Sequence, residues 1–492
     1  MTAVATAVAA RNLALLEEVP AVGWEIDWAG PVGLPLADET SVQAACGIMH
    51  VHGRAGGRPA ALAVDYASAT AGVLAAQGVL AAGIGRARGL AVARVRTSVA
   101  QAALISLSQY LAAATADDPE EDHAPGTPDL RSADDVRFEM ETLDAMDWLR
   151  FWTSLEADPG AVRRGWRPFQ QRFATAACAL PESLRAAVGA RDFGAIAEAA
   201  RNAGVSVLRV REDTEHPTRV SPWKLTKLGT AGTPARVAPL RLPLEGLTVV
   251  ESTRRVQGPM AGHVLSLLGA DVVRIEPPGG DPMRGIPPMA GDCSARFSAL
   301  NAGKRVVEVD LKTAPGEVRE LIADADVFLH NWAPGKAAQL GLDAEDLARV
   351  NPGLVYAWAS GWGDEFGDAP PLGTDFLVQA HSGVAAALGR SPSLMTLTDV
   401  LGGLVCAQGV LAALLGRLTR GEGARVDSSL YSAAGLIPRT RSNREVLFTE
   451  DGYVAGRTPV CTDLRALASD PRFSPALKHE GHVFPVAPWE FE

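Results

Sequence analysis

The sequence predicts an α/β protein: an open, mainly parallel, Rossmann-like sheet with helices on both faces, a smaller helical or α+β region beside it, and a partial internal duplication. Three observations predict this. From Gly246 onward, short β-branched runs alternate with helix-period runs, the pattern of parallel strands joined by crossover helices. Between 146 and 210, apolar residues recur at three- and four-residue spacing, which reads as helices. Two separated stretches of the chain also align with each other, the mark of a repeat.

The elements follow in order. MDWLRFWTSL (146–155), PFQQRFATAACAL (168–180) and FGAIAEAARNAG (193–204) are the helices of the smaller region. GLTVVE (246–251) is the first strand of the sheet. GPMAGHVLSLLGA (258–270) is a helix with Pro259 in its first turn, where a missing N–H costs nothing. DVVRIE (271–276) and RVVEVDL (305–311) are strands, GEVRELIADA (316–325) a helix, and DVFLHN (326–331) and GLVYAWAS (353–360) strands. A long Ala/Gly/Leu helix follows Asp399 and is closed by Gly421 and Gly423.

The repeat is specific. LADETSVQAACGIMHVHGR (36–54) aligns without a gap with LGTDFLVQAHSGVAAALGR (372–390), and AQGVLAA occurs at 76–82 and again at 407–413. Upstream of each AQGVLAA lies an aspartate, Asp65 in ALAVDYAS and Asp399 in LMTLTDVLGG, and Asp65 reads as the counterpart of Asp399. Nothing in the sequence before the first copy matches 246–360. The amino-terminal part therefore reads as half of the later unit.

Composition narrows the function. The chain has 492 residues, 47% of them hydrophobic and 21% charged, with a net charge of −11. That suits a two- or three-domain globular protein. No basic stripe favours nucleic acid. Five scattered cysteines without CxxC spacing suit a reducing cytoplasm and give no metal site. The apolar runs Val73–Ala82 and Leu404–Leu415 are too short to span a membrane. The N-terminus has no cationic start, so a short helix is expected there rather than a signal peptide.

The chemistry points to an anionic ligand. The first strand-to-helix turn reads Arg254-Arg255-Val256-Gln257-Gly258-Pro259 and lacks the GxGxxG of a dinucleotide site. A helix start still attracts phosphate, and Arg254, Arg255, Arg274, Arg284, Lys304 and Arg305 recur at the ends of neighbouring elements. As charges on spacing alone they also read as ordinary solvated surface.

Eight stretches occur in family order and spacing: LEGLTVVESTRRVQGPMAG, LLGADVVRIEPPGGDPMRG, LNAGKRVVEVDLK, DVFLHNWAPGKAAQLGL, NPGLVYAWASGWG, DFLVQAHSG, LTDVLGGLVCAQGVLAAL and GEGARVDSSLY. Through them residues 244–436 resemble the class III CoA-transferases, a family that includes formyl-CoA and carnitine-CoA transferases. The resemblance implies that Asp399 is the nucleophile and passes through an aspartyl-CoA thioester. An aspartate before a helix is also a common N-cap. The resemblance places Val256 and Gln257 along the coenzyme A site, Asn331 and Trp332 in the family's Asn-Phe pair, and Arg274, Arg284 and Lys304 at basic positions suited to phosphates. Coenzyme A and its acyl thioesters enter as substrates, with no tightly bound cofactor and no metal. Acyl-CoA and carboxylic acid partners, a cytoplasmic homodimer, and neither nucleic acid nor membrane complete the expectation.

The family's racemase branch carries a His where this chain has Thr374 before Asp375. That ranks a racemase or isomerase second, with a non-catalytic coenzyme A-binding subunit third. The divisions expected are a degenerate copy of the catalytic later half (1–114), an acidic linker (115–145), a small-domain-like region (146–243), the coenzyme A-binding and catalytic α/β domain (244–436) and a short tail returning to the core (437–492). ATAACALPESLRAAV and HPTRVSPWKL support the small-domain assignment. Pro-Trp near the end of both tails supports the duplication. The family's mobile glycine-rich loop is not visible in the sequence.

Overall fold

The computed structural model describes residues 2–118, 123–214, 220–230 and 240–492. Parts of the expected linker and small region (119–122, 215–219 and 231–239), including His216–Arg219 of HPTRVSPWKL, lie outside the described residues. The first part of the chain forms α1 (Ala3–Leu13), β1 (Gly23–Asp27), α2 (Glu39–Ala45), the long α3 (Tyr66–Ala87), β2 (Arg94–Ser98) and α4 (Val99–Ser106). The smaller unit contains β3 (Arg137–Glu141), α5 (Ala145–Ser154), α6 (Pro159–Thr175) and β4 (Ser206–Arg209). The chain then enters the main sheet through β5 (Trp223–Thr230), followed by β6 (Thr248–Ser252), α7 (Gln257–Leu267), β7 (Asp271–Glu276), β8 (Arg305–Glu308), β9 (Val327–His330) and β10 (Val355–Ser360). After these come α8 (Asp375–His381), the long α9 (Leu397–Arg420), β11 (Glu422–Ser429), α10 (Leu430–Ala434) and, near the end, β12 (Glu490–Phe491).

The main sheet has seven strands in the order β8-β7-β6-β9-β10-β11-β5. All neighbours are parallel except β5, which runs antiparallel to β11. Val249 lies opposite Val327, and Val250 opposite Phe328. These residues and Leu329, Val355 and Tyr356 are buried, as expected for strands covered on both faces. The chain runs outward from β6 through β7 to β8, then returns to β9 and runs outward the other way. The carboxyl ends of β6 and β9 therefore diverge and leave a crevice, the place where open α/β sheets bind ligands.

The duplication is visible in packing. Read back without a gap from AQGVLAA, Gly72 matches Gly403 and Gly78 matches Gly409. A Cβ on Gly72 would lie 2.5 Å from the Ala5 carbonyl of α1, and one on Gly403 would lie 2.4 Å from the Gln257 carbonyl of α7. The glycines thus admit equivalent helices at contact distance. A Cβ on Gly78 would meet Trp489, and one on Gly409 would meet Trp223. β1 pairs with β2 in parallel as β10 pairs with β11. Ser98 and Ser429, at the ends of β2 and β11, cap the helices that follow. Among the described residues the first copy therefore has packing counterparts of α7 and β10, in α1 and β1, and none of the strands β6 to β9.

Each copy receives an edge strand from the segment that follows the other. β5, after the smaller unit, closes the sheet of the second copy, and β12 pairs with β2 of the first. The long helices meet between the copies: the Tyr66 hydroxyl donates to the Leu397 carbonyl at 3.0 Å and the Gln77 amide to the Leu404 carbonyl at 2.6 Å. Tyr66 and Leu397 are equivalent positions in the gapless register, so their contact puts a pseudo-twofold axis beside them. Both helices are long and apolar enough to cross a bilayer, longer than the apolar runs read from sequence. Their most apolar stretches are 94% and 89% buried by protein, which accounts for the small residues. The expected linker also contains structure: Phe138 and Met140 are buried in β3, which pairs with β4 and with Leu130–Arg131.

Candidate active site

A cleft of about 1100 Å³ opens outside the carboxyl ends of β6, β9 and β10. Its walls come from the turn after β6, the segment after β9, residues 359–376, and Glu141–Leu143 and Gln170–Phe173 of the smaller unit; Asp399 lines it too. The cleft is thus assembled from parts of the chain more than two hundred residues apart.

Of the eight site residues that the resemblance implies, five lie here: Val256, Gln257, Asn331, Trp332 and Asp399. The Asn331 side chain accepts the Arg254 N–H at 3.0 Å and donates to the Arg254 carbonyl at 2.9 Å. Its role is to clamp the two diverging strand ends. The Gln257 amide donates to the Ser360 carbonyl at 3.0 Å, tying α7 to β10. Trp332 is half-buried, its ring 4.7 Å from that of buried His330, and its carbonyl accepts the Trp358 indole N–H at 3.0 Å. It forms an apolar shelf on a fixed aromatic base.

Arg274, Arg284 and Lys304 are placed elsewhere, a correction to the phosphate-binding role expected of them. Arg274 is buried and paired with Glu251 at 2.5 Å, Asp281 at 2.7 Å and Glu276 at 3.2 Å. Lys304 is buried against Glu251 at 2.8 Å and donates to the Pro259 carbonyl at 2.9 Å. Burial lowers its ammonium pKa to about 8. Arg284 donates to both carboxylate oxygens of Glu276 at 2.8 Å. Carboxylates on the adjacent strands absorb these charges. The network braces α7 against the sheet from beneath, where Glu251 comes so close that a Cβ on Gly262 would overlap it at 1.8 Å.

Besides Arg172, the cations that line the cleft are Arg254, Arg255, Lys312 and Lys336. Sequence reasoning noticed Arg254 and Arg255 and passed over the two lysines, which follow β8 and β9 at the end of LNAGKRVVEVDLK and within DVFLHNWAPGKAAQLGL. It also missed Glu141, Arg172 and Phe173, which only the tertiary fold brings to the cleft. Buried Arg172 lies over the rings of Phe169 and Phe376, at 3.7 and 4.6 Å, and pairs with Glu141 at 3.0 Å.

Asp399 is the third residue of α9, whose preceding Thr396 takes a left-handed φ of 41°. The helix is not capped by Asp399. Asp375 does that work: its carboxylate accepts the Thr398 N–H at 2.5 Å, the Thr398 hydroxyl at 2.7 Å and the Asp399 N–H at 2.9 Å, and also the Gln379 amide. Asp399 is left with its side chain toward the cleft. Burial pushes its pKa well above the ordinary carboxylate value, the Asp375 charge adds to this, and the Arg255 charge opposes it. Burial raises the carboxyl of Asp375 as well, but hydrogen bonds from Thr398, the Asp399 N–H and Gln379 oppose the shift there, whereas Asp399 has no such donors and is raised well above the ordinary value.

Thr374, at the position of the racemase histidine, lines the cleft with its hydroxyl unpartnered among the described residues. His381 is held by Glu365 at 2.8 Å and packs against Trp362 and Phe366.

The first copy keeps the scaffold of this site without its reactive group. Glu39, equivalent to Asp375, accepts the Ala67 and Ser68 N–H groups at 3.0 and 2.8 Å and the Gln43 amide at 3.0 Å. Gln43 and Gln379, from the shared Val-Gln-Ala, each grip the following loop through its backbone. The gapless register places Ser68 opposite Asp399, and Asp65 opposite Thr396. Asp65 is therefore not the counterpart of Asp399, a correction by three residues. Its carboxylate pairs with buried Arg444, while Ser68 is buried with its hydroxyl on Glu39 at 2.5 Å.

A second cavity, of about 980 Å³, lies between the ends of α1, α3 and α9. Its charges are largely matched within it, Arg420 by Glu17 and Glu422, and Lys227 by Glu422. It offers no counterpart to Asp399.

A family model described as CoA-transferase family III matches residues 29–219 and 244–450. An acetyl-CoA:oxalate CoA-transferase of Acetobacter aceti is 36% identical over 225 residues, 41% of this chain and 58% of that protein. A succinate–glutarate CoA-transferase of Agrobacterium fabrum is 32% identical over 233 residues, 44% of this chain and 56% of that protein. A solved CAIB/BAIF family protein from Brucella suis aligns at 31% identity with a TM-score of 0.40, covering 43% of this chain and 65% of that one. The chain thus spans a little over half the length of the curated relatives it matches.

Proposed function

The chain belongs to CoA-transferase family III, and from that premise we propose that it moves coenzyme A from an acyl-CoA donor to a carboxylic acid through an aspartyl-CoA thioester on Asp399. One observation carries the reading: a carboxyl raised by burial and by Asp375 stands at the start of α9 and lines the cleft at the sheet's switch point. A partly desolvated carboxylate of raised pKa is a better nucleophile than a solvated one.

The Asp399 carboxylate attacks the donor's thioester carbon, and the coenzyme A thiolate leaves to give a mixed anhydride. The thiolate then attacks the Asp399 acyl carbon and releases the donor acid. The acceptor carboxylate reverses these two steps. Each addition places negative charge on an oxygen, and Thr374, at the cleft wall with its hydroxyl unpartnered among the described residues, is a donor of the right kind for it. Arg254, Lys312 and Lys336 suit the phosphates of coenzyme A, and Trp332 suits its adenine or pantetheine. The names of the relatives include oxalate, succinate and glutarate, so small dicarboxylic acids are the first acceptors to try.

The test is covalent trapping. The protein is incubated with a panel of acyl-CoAs, reduced with borohydride, and digested for mass spectrometry. A reduced carboxyl at Asp399, lost in Asp399→Asn, is expected. Coenzyme A binding without any mark at Asp399 sinks the mechanism.

A further inference from the structure

We infer that Arg255 is the residue that receives the acceptor's carboxylate, so that it selects acids over other nucleophiles in the second half of the reaction. The inference rests on the aspartyl-thioester reading and deepens it. Arg255 lies on the turn between β6 and α7 with φ 65°, a left-handed conformation that a residue with a side chain adopts at a cost and that concentrates at functional positions. It lines the same cleft as Asp399, and its guanidinium lies 6.0 Å from the centre of the Phe173 ring. Among the described residues no carboxylate is within ion-pair distance of it.

Arg172 is nearby but is not available, because it is buried, Glu141 matches its charge, and the carbonyls of Phe169 and Met140 engage its two terminal nitrogens. The other free cations of the cleft, Arg254, Lys312 and Lys336, are not those whose charge bears on Asp399. Arg255 is.

The charge balance of the reaction gives this placement a use. When Asp399 is ionised its charge stands in a buried place beside Asp375, and the Arg255 charge opposes that penalty. Once Asp399 is an acyl thioester it has no charge, and Arg255 is left unmatched in the same cleft. A carboxylate entering next restores the match, and the fork geometry of guanidinium suits it. Its free oxygen attacks the aspartyl carbon, the carbon–sulfur bond breaks, and the thiolate leaves. No proton or oxidant is required. The same residue disfavours acceptor binding before the thioester forms only to the extent that Asp399 is ionised and occupies it.

The experiment compares two ways of discharging the thioester. Wild type, Arg255→Gln and Arg255→Lys are loaded with succinyl-CoA as donor. Each is then mixed with glutarate or acetate, or with hydroxylamine, a neutral nucleophile that attacks the same carbon and releases coenzyme A as the thiol. The expected result is at least a tenfold slower discharge by carboxylates in Arg255→Gln, with hydroxylamine discharge changed less than threefold and Arg255→Lys in between. Equal slowing by all nucleophiles, or no slowing by any, overturns the inference while leaving the thioester reading intact. Absence of any hydroxylamine-sensitive adduct in wild type, across the donor panel, overturns both.

Discussion

The Asp375 carboxylate accepts the backbone N–H of Asp399 at 2.9 Å, so the group that builds the turn also supplies the charge that raises its neighbour's carboxyl. The two effects separate on mutation. Thioester formation in wild type should rise with pH through an inflection above the usual carboxylate range, because the ionised form of Asp399 is the nucleophile. Asp375→Asn should move that inflection down. It also weakens the capping of two N–H groups, costing about 1–3 kcal/mol of stability. Single-turnover thioester formation against pH and denaturant unfolding read the two outcomes. An inflection unmoved by Asp375→Asn would contradict the electrostatic coupling.

Asp399 should itself be a stability liability. A carboxyl raised on folding destabilises the native state where it must ionise. The penalty is absent below the ordinary carboxylate pKa, grows as pH rises toward the raised value, and is complete above it. Asp399→Asn removes it. Stabilisation of about 0.5–2 kcal/mol is expected at mildly alkaline pH, shrinking as pH falls. Urea unfolding at several pH values measures it, and equal stability of the two proteins at alkaline pH would contradict it.

Gly72 and Gly403 should respond alike in stability and differently in function. At each, a Cβ would come within 2.5 Å of a backbone carbonyl on the facing helix. Alanine at either should cost about 1–3 kcal/mol through overpacking. Gly403→Ala also displaces α7 against the turn that carries Asp399, so thioester formation should fall at least tenfold. Gly72→Ala should lower the unfolding midpoint with activity at the permissive temperature retained.

Ser68→Asp should not create a second site. The new carboxylate would be buried beside Glu39, itself already raised by burial, and an uncompensated buried charge costs about 3–5 kcal/mol. Among the described residues the sheet of the first copy has three strands, with no counterparts of β6 to β9, so no switch-point crevice stands before Ser68. Trapping should label Asp399 alone, with a large fall in unfolding midpoint. Asp65→Asn should leave transfer unchanged and lose the Arg444 ion pair. A trapped adduct at residue 65 or 68 in either protein would contradict this account.

The sequence by itself determined the parallel sheet and the long helix of 397–420, because each depends on local pattern, while Asp399 was singled out through the family resemblance. Continuous apolar runs such as that of Val327, Phe328 and Leu329 specify strands buried on two faces, and the Ala/Gly spacing of 397–420 specifies a helix that others approach closely. It also determined that a repeat exists, since Val-Gln-Ala and AQGVLAA recur letter for letter. Only the tertiary structure decided the register of that repeat. Asp65 and Asp399 look equivalent as letters, but hydrogen bonding to Glu39 and Asp375 shows that the equivalent pair is Ser68 and Asp399. It likewise decided which cations are free. Arg274 and Lys304 resemble Arg255 in sequence, yet burial beside Glu251 consumes their charge, and a linear sequence does not say which acid on a neighbouring strand will face which base.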